Sequence, residues 1–150
     1  MDPMKYLRED VVSVSPDTSG VDVAKIMEQK NVGSVVVVDG DGRPTGIITD
    51  RDMIVRVVAR DKRPEEMKAR DIMTRNPTAF TEGMQVTDAM ERMMKEGIRR
   101  MPIVDRNGRL TGIVIPDDII RLLGDEISYI TRNIEKQSLP GSPFYPYPIV

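Results

Sequence analysis

The sequence predicts an α/β (α+β) protein built from two copies of one strand–helix–strand–strand–helix unit, and three observations carry that expectation. The first is an internal repeat. Gly112-Ile113-Val114-Ile115-Pro116-Asp117-Asp118 follows Gly46-Ile47-Ile48-Thr49-Asp50-Arg51-Asp52 at an offset of 66 residues, from 46 to 112. The same offset pairs Asp22 with Asp88, Met27 with Met93, Val38 with Val104, Thr45 with Thr111 and Ile54 with Ile120, with no insertion between them. A repeat held in register over this distance outranks any single motif. The second observation is a pair of short apolar runs in each copy, split by Asp39-Gly40-Asp41-Gly42 or by a segment ending in Asn107-Gly108, as in a hairpin. The third is apolar residues at 3-4 spacing on either side of each hairpin, which is helix periodicity.

Residues 1–10 are polar and mixed, and Val11 to Val14 then reads as a short strand stopped by Ser15-Pro16. Asp17, Thr18 and Ser19 are cap residues for a helix whose apolar face is Val23, Ile26 and Met27, and Asn31 suits a left-handed end. Ser34 to Val38 and Pro44 to Thr49 read as strands. Val35 to Val38 is apolar without alternation, as expected of a strand covered on both faces. Asp41-Gly42 and Asn107-Gly108 each suit a two-residue turn needing positive φ.

A helix is expected from Asp50 to about Arg60, after which Asp61-Lys62-Arg63-Pro64 links the copies. The second copy repeats the pattern. Its first helix presents Val86, Ala89, Met90, Met93 and Met94 and stops at Gly97, and the methionines read as core and not as an adaptable binding groove. A last helix begins near Pro116-Asp117, where proline suits the first helical position, and presents Ile119, Ile120, Leu122 and Leu123 up to Gly124. Ile127, Ile130 and Ile134 predict a further helix, and the prolines after Ser138 predict an extended tail. The expected units are residues 8–62 and 70–124 for the repeats, 125–137 for the extra helix and 138–150 for the Pro-rich tail.

A chain of 150 residues suits two small repeats that share one core, since each alone would be marginal. It has no Cys and no His, which removes disulfides, thiol nucleophiles, the usual zinc ligands and the commonest general base. A net charge of −2 gives no overall pull toward nucleic acid. The longest apolar run is strand-sized and the first residues lack the apolar stretch of a signal peptide, so a cytoplasmic protein away from membranes is expected.

The junction from Gly46 to Asp52 joins a strand to a helix, which is where phosphates bind. A small residue at Gly46 admits a ligand to the backbone, the helix N-terminus favours an anion, and Thr49 adds a hydroxyl. The carboxylate of Asp52 only accepts hydrogen bonds, so it suits a ribose diol. Thr49 as a plain N-cap with Asp52 in the first turn is the structural alternative, and recurrence of the segment favours the ribonucleotide clamp.

With Ser15-Pro16-Asp17-Thr18-Ser19, Asn31-Val32-Gly33-Ser34 and Ile72-Met73-Thr74-Arg75-Asn76-Pro77 in the same order, the chain resembles a tandem pair of CBS domains. This regulatory repeat is named after cystathionine β-synthase, and the pair is called a Bateman module. The resemblance spans roughly residues 8 to 124 and is nearest in kind to stand-alone archaeal CBS-pair proteins. It implies two repeats packed through their sheets about a pseudo-two-fold axis, with a sensing role and no catalysis. The implied ligand is an adenine nucleotide (AMP, ADP, ATP or S-adenosylmethionine, with AMP foremost), and an unidentified effector protein would receive the signal.

Carried over residue by residue, the resemblance assigns Thr49, Arg99 and Arg100 to the phosphate, with Arg51 a lesser candidate. It assigns Asp52 to the ribose, and Val12, Ser13, Val32, Gly33, Ser34 and Ile47 to the adenine pocket. No metal is implied. The second junction keeps Gly112 and Asp118 but has Ile115 in place of Thr49 and Pro116 in place of Asp50, while Gly33 and Ser34 stand opposite Arg99 and Arg100. A degenerate second site, and one strong nucleotide per chain, are therefore expected. A homodimer is expected too, through Ile54, Val57 and Val58 on one helix and Ile119, Leu122 and Leu123 on another.

Two other functions compete. A magnesium-dependent phosphohydrolase would use Asp50, Asp52, Asp117 and Asp118, since magnesium needs only one or two carboxylates plus substrate oxygens. A nucleic-acid binder would use the stretch from Arg56 to Arg75, although Asp61, Glu65, Glu66 and Asp71 interrupt it and no aromatic is nearby to stack on a base.

Overall fold

In the computed structural model, which describes the backbone of residues 10–137 and the side chains of 10–134, the first copy forms five elements. These are β1 (Ser13–Val14), α1 (Gly20–Lys30), β2 (Ser34–Val38), β3 (Pro44–Thr49) and α2 (Asp50–Arg56). A short α3 (Ala69–Ile72) and β4 (Thr74–Arg75) lead into the second copy, which consists of β5 (Phe80–Thr81), α4 (Val86–Glu96), β6 (Met101–Val104), β7 (Leu110–Val114) and α5 (Pro116–Gln137). The tail expected over 138–150 lies outside the described residues.

The 66-residue offset survives in atomic detail. In each copy the first strand runs parallel to the second and the second antiparallel to the third, and the pair Val14 with Val37 recurs as Phe80 with Ile103. Both middle strands carry a register shift at the same place, between Val37 and Val38 and between Ile103 and Val104. The first helices end alike, on Asn31 at φ 51 and on Gly97 at φ 65. Of the cap candidates, Ser19 caps α1, its side-chain oxygen accepting from the Asp22 N–H at 3.1 Å.

The hairpin turns differ from the two-residue type. Only Gly42 and Gly108 have positive φ, 78 in each case, and their N–H groups donate to the Asp39 and Asp105 carbonyls at 3.0 Å. A three-residue loop with glycine in the left-handed position fits both facts and the neighbouring register shift. Asp39 stabilises it by accepting from the N–H groups of Asp41 and Arg43, and Asp105 does the same for Asn107 and Arg109.

Burial falls into three clusters. One lies inside each copy, centred on Val23, Val35, Val37, Ile48 and Ile72 in the first and on Phe80, Met93, Met101, Val114 and Ile119 in the second. The third joins the copies and consists of Val36, Ile47 and Ile113, with Val11, Val38 and Leu110 packed against it. Ile47 and Ile113 are repeat-mates, and repeat-mates meeting in one cluster mark a pseudo-two-fold axis between the sheets. The unbroken Val35–Val38 run is thereby explained, because Val35 and Val37 face the first core while Val36 faces the second repeat. The hairpin tips also touch, with Leu110 N–H donating to the Gly42 carbonyl at 2.9 Å and Arg43 Nε donating to the Asn107 carbonyl at 3.2 Å.

Four sequence-based expectations are revised. α2 stops at Arg56, and Val58–Arg60 forms a separate 3-10 turn. The start of the expected second repeat packs on the first copy: Ala69 and Ile72 are buried in the first core, Ala69 N–H donates to the Thr18 carbonyl at 2.7 Å, and β4 becomes the fourth strand of the first sheet. Gly124 does not interrupt α5, so residues 125–137 continue the helix begun at Pro116. Met94 is exposed and not part of the core, whereas Met93 is buried and Met90 half-buried. None of the helices in the described residues is long and apolar enough to cross a membrane.

Candidate functional site

Beside the inter-repeat contact lies a cavity of about 740 Å³ lined from both copies. From the first come Ile47, Thr49, Asp50, Arg51 and Asp52, with Thr74 of β4; from the second come Gly97, Ile98, Arg99, Arg100, Ile115, Pro116 and Asp117. Its volume falls within the roughly 300–1,000 Å³ usual for pockets that enclose a small organic ligand. Three guanidinium groups and three carboxylates share the rim with three isoleucines, so the cavity has polar points for orientation and apolar wall for a base.

Thr49 and Asp52 hold each other in place. Asp52 Oδ2 accepts from the Thr49 N–H at 2.9 Å, and Thr49 Oγ1 accepts from the Asp52 N–H at 3.1 Å, which is a complete capping box at the start of α2. The cap and the clamp are compatible. A threonine hydroxyl that accepts one bond still has its own proton to donate to a phosphate oxygen. Among the described residues Asp52 Oδ1 meets only Arg56 Nη2, at 3.8 Å, and so keeps acceptor capacity for a hydroxyl.

Arg100 and Asp50 converge on Gly33. Arg100 Nη2 and Asp50 Oδ2 lie 3.1 and 3.3 Å from where a Cβ on Gly33 would stand, and the Asp50 N–H donates to the Gly33 carbonyl at 3.0 Å. Thus Gly33 does not line the cavity; it makes room for two side chains that do. Gly46 has a different task from the one expected. A Cβ there would collide with Met73, so its small size admits that side chain and not a ligand.

The structure therefore brings together Ile47, Thr49, Arg51, Asp52, Arg99 and Arg100. It does not bring Val12, Ser13, Val32, Gly33 or Ser34 to the same lining. Val12 and Val32 pack against the first core and Ser13 is exposed. Of the residues given to a second site, Ile115 joins this cavity, while Gly112 and Asp118 do not. Asp118 is 6% exposed, its Oδ2 is buried without a hydrogen bond among the described residues, and Arg121 Nη1 is 4.0 Å from its Oδ1. Of the four carboxylates of the magnesium alternative, Asp50, Asp52 and Asp117 thus line this cavity and Asp118 does not, and among the described residues no group of three or more His, Cys, Asp or Glu side chains could hold a metal ion.

Ile98 and Thr74 were missed by sequence reasoning. Ile98 was within reach, since the offset makes it the mate of Val32; Thr74 carried no signal, because only the pairing of β4 with β3 sets it beside Ile47. The basic stretch from Arg56 to Arg75 is partly neutralised. Arg56 donates to the Ile72 carbonyl and to Thr74, Arg63 pairs with Glu66, and Lys68 and Arg70 pair with Asp17. A second, apolar groove of about 250 Å³ adjoins the cavity, sharing Gly97, Ile98, Arg99 and Pro116 with it and lined further by Met90, Met93, Met94 and Ile119.

Comparison with known proteins agrees with this geometry. Residues 4–59 and 69–125 each match the family described as CBS domain. An uncharacterized protein of Methanopyrus kandleri is 42% identical over 130 residues, covering 87% of this chain; the chain spans 64% of that relative's length. Among solved structures, the CBS domain pair of protein MJ0100 in complex with 5′-methylthioadenosine and S-adenosyl-L-methionine superposes with a TM-score of 0.70 at 32% identity, covering 80% of this chain and 97% of that one. A conserved CBS domain protein of unknown function from Thermoplasma acidophilum gives a TM-score of 0.72 at 29% identity, over 81% of this chain and 68% of that one.

Proposed function

Because the chain belongs to the CBS-domain family, we propose that it is a regulatory module that binds an adenine nucleotide and catalyses nothing itself. The observation that carries this is the meeting of Thr49, Asp52, Arg99 and Arg100, from two repeats, on one cavity with isoleucine walls. The first-turn N–H groups of α2, the Thr49 hydroxyl and Arg99 and Arg100 would hold the phosphate, with Arg51 at the rim. Asp52 Oδ1 would accept from the ribose hydroxyls, and Ile47, Ile98 and Ile115 would flank the adenine. The adenosine-based ligands of the MJ0100 domain pair support an adenine ligand here. AMP is the foremost candidate, since one phosphate fits a site in which three carboxylates already balance three guanidinium groups.

We further propose one strong site per chain, a homodimer, and an effector protein that reads the liganded state. Three residues of the expected dimer surface are withdrawn from it, because Val57, Ile119 and Leu122 are buried within the protomer. Ile54, Val58, Ile120 and Leu123 remain exposed.

A thermal-shift screen with AMP, ADP, ATP and S-adenosylmethionine tests the ligand class. A ligand at about 100 times its dissociation constant adds roughly 2.7 kcal/mol of stability. No shift with any of the four would overturn the reading, as would steady product formation from ATP with magnesium.

A further inference from the structure

Helix α5 does not end where its repeat-mate ends. α2 stops at Arg56, which the offset matches to Leu122, yet α5 continues to Gln137. From Leu123 to Ile134 every side chain but that of Asn133 is exposed, so the extension stands clear of its own protomer. It is nevertheless not polar. Ile120, Leu123, Ile127, Ile130 and Ile134 are 63, 45, 64, 53 and 55% exposed, and they recur at intervals of 3, 4, 3 and 4 residues. That is the a and d spacing of a coiled-coil seam. A helix extension this short, rich in β-branched residues and without partners among the described residues, would be marginal in water.

We propose that this stripe packs against the same stripe of a second copy, antiparallel and around a two-fold axis, as a short two-stranded coiled coil. The inference rests on the homodimer proposed above and names the surface and geometry that form it. An a/d seam is self-complementary, which is what a two-fold interface requires. Its orientation follows from charge. Along the stripe, residues 120–126 carry Asp125 and Glu126 against Arg121, a formal charge of −1, whereas residues 131–137 carry Arg132 and Lys136 against Glu135, a formal charge of +1. A parallel pair would stack −1 on −1 and +1 on +1, while an antiparallel pair sets −1 beside +1 and also opposes the two helix dipoles. The stripe's edges offer no repulsion, for their one charge among the described residues, Glu126, would face the Asn133 amide of the other copy.

The chain contains no cysteine, so introduced ones report cleanly. With the seam centred on Ile127 and Ile130, position 123 of one copy meets position 134 of the other. Leu123→Cys and Ile134→Cys proteins are mixed under oxidised glutathione. The mixed 123–134 disulfide should form roughly tenfold faster than either variant's disulfide with itself, because only that pair reaches bonding geometry. Arg132→Cys, on the opposite side of the helix, should form none. In sedimentation, Ile130→Lys should weaken the dimer by about a hundredfold or more, with the AMP thermal shift retained. A wild-type monomer at micromolar concentration, whether residues 138–150 cover the stripe or leave it bare, overturns both the seam and the dimer. A dimer that ignores Ile130→Lys and gives no 123–134 disulfide overturns the seam alone. Self-disulfides as fast as the mixed one mean a parallel pair and overturn the antiparallel geometry.

Discussion

The two strand-to-helix junctions, 66 residues apart, hold the same aspartate in opposite circumstances. Asp52 accepts from the Thr49 N–H, lies near Arg56 and reaches the cavity, whereas Asp118 is buried with Oδ2 unbonded. Three neighbours account for the difference. Ile115 replaces the hydroxyl that completes the capping box, so the Asp118 N–H donates to the Ile115 carbonyl instead. Pro116 has no N–H to give the Arg99 carbonyl the bond that Asp50 gives Gly33. Gly33 and Ser34 bring no charge where Arg99 and Arg100 do. A duplicated backbone thus keeps its register with very different side chains, because the register depends on the strands and their valines, while anion binding depends on a few positions at the strand ends.

The largest expected contrast is in nucleotide affinity. Calorimetry with AMP should show one tight site per chain, weakened about a hundredfold or more by Asp52→Ala together with Arg100→Ala, since each charged contact is worth roughly 1.5–3 kcal/mol. Asp118→Ala should leave that site nearly unchanged. Two equal sites, or loss of the site with Asp118, would break the comparison.

The ribose assignment gives the next largest effect. Against AMP, 2′-deoxyadenosine monophosphate should bind roughly tenfold or more weakly if Asp52 holds a hydroxyl, as the loss of one charged hydrogen bond implies. Equal binding would free Asp52 from that role and leave it as a cap only.

Stability should respond with opposite signs to the same substitution. Asp52→Asn loses a charged hydrogen bond and the Arg56 contact and should cost about 1 kcal/mol, whereas Asp118→Asn relieves a buried carboxylate whose Oδ2 has no hydrogen bond and whose Oδ1 has only a long contact to Arg121, and should gain about 1 kcal/mol. Urea denaturation measures both. A loss at both positions would mean that Asp118 has a favourable partner.

A subtler test is Gly33→Ala. The new Cβ would press on the Arg100 guanidinium and the Asp50 carboxylate, both of which can swing away, so folding should hold while AMP binding falls by about fivefold, or roughly 1 kcal/mol. Gly40→Ala, with open space around it, should change neither. The smallest difference concerns the helix ends: Asn31→Gly should stabilise the first copy by only a few tenths of a kcal/mol, since asparagine already tolerates the left-handed position that Gly97 fills in the second. A loss of stability in a thermal melt would show that the Asn31 side chain does more than tolerate the turn.

The sequence by itself determined the repeat, the order of its elements and the bounds of β2 and β3, because these depend on local periodicity and on residues such as Asn31, Gly97 and Ser19 that act on their own backbone. Thr49 and Asp52 stand out in it as a hydroxyl and a carboxylate at a repeated strand-to-helix junction, whereas Arg99 and Arg100, just before β6, enter only through the resemblance to CBS domains. Only the tertiary structure decided which of these share a cavity and which residues complete it. Thr74 reaches the site through strand pairing, Gly33 serves it by yielding space to Arg100, and Gly46 turns out to accommodate Met73. The burial of Asp118 and the exposure of the α5 stripe were likewise invisible. Each depends on which neighbour arrives from elsewhere in the chain, and a pattern of period 2 or 3.6 records only that a face is apolar, not what meets it.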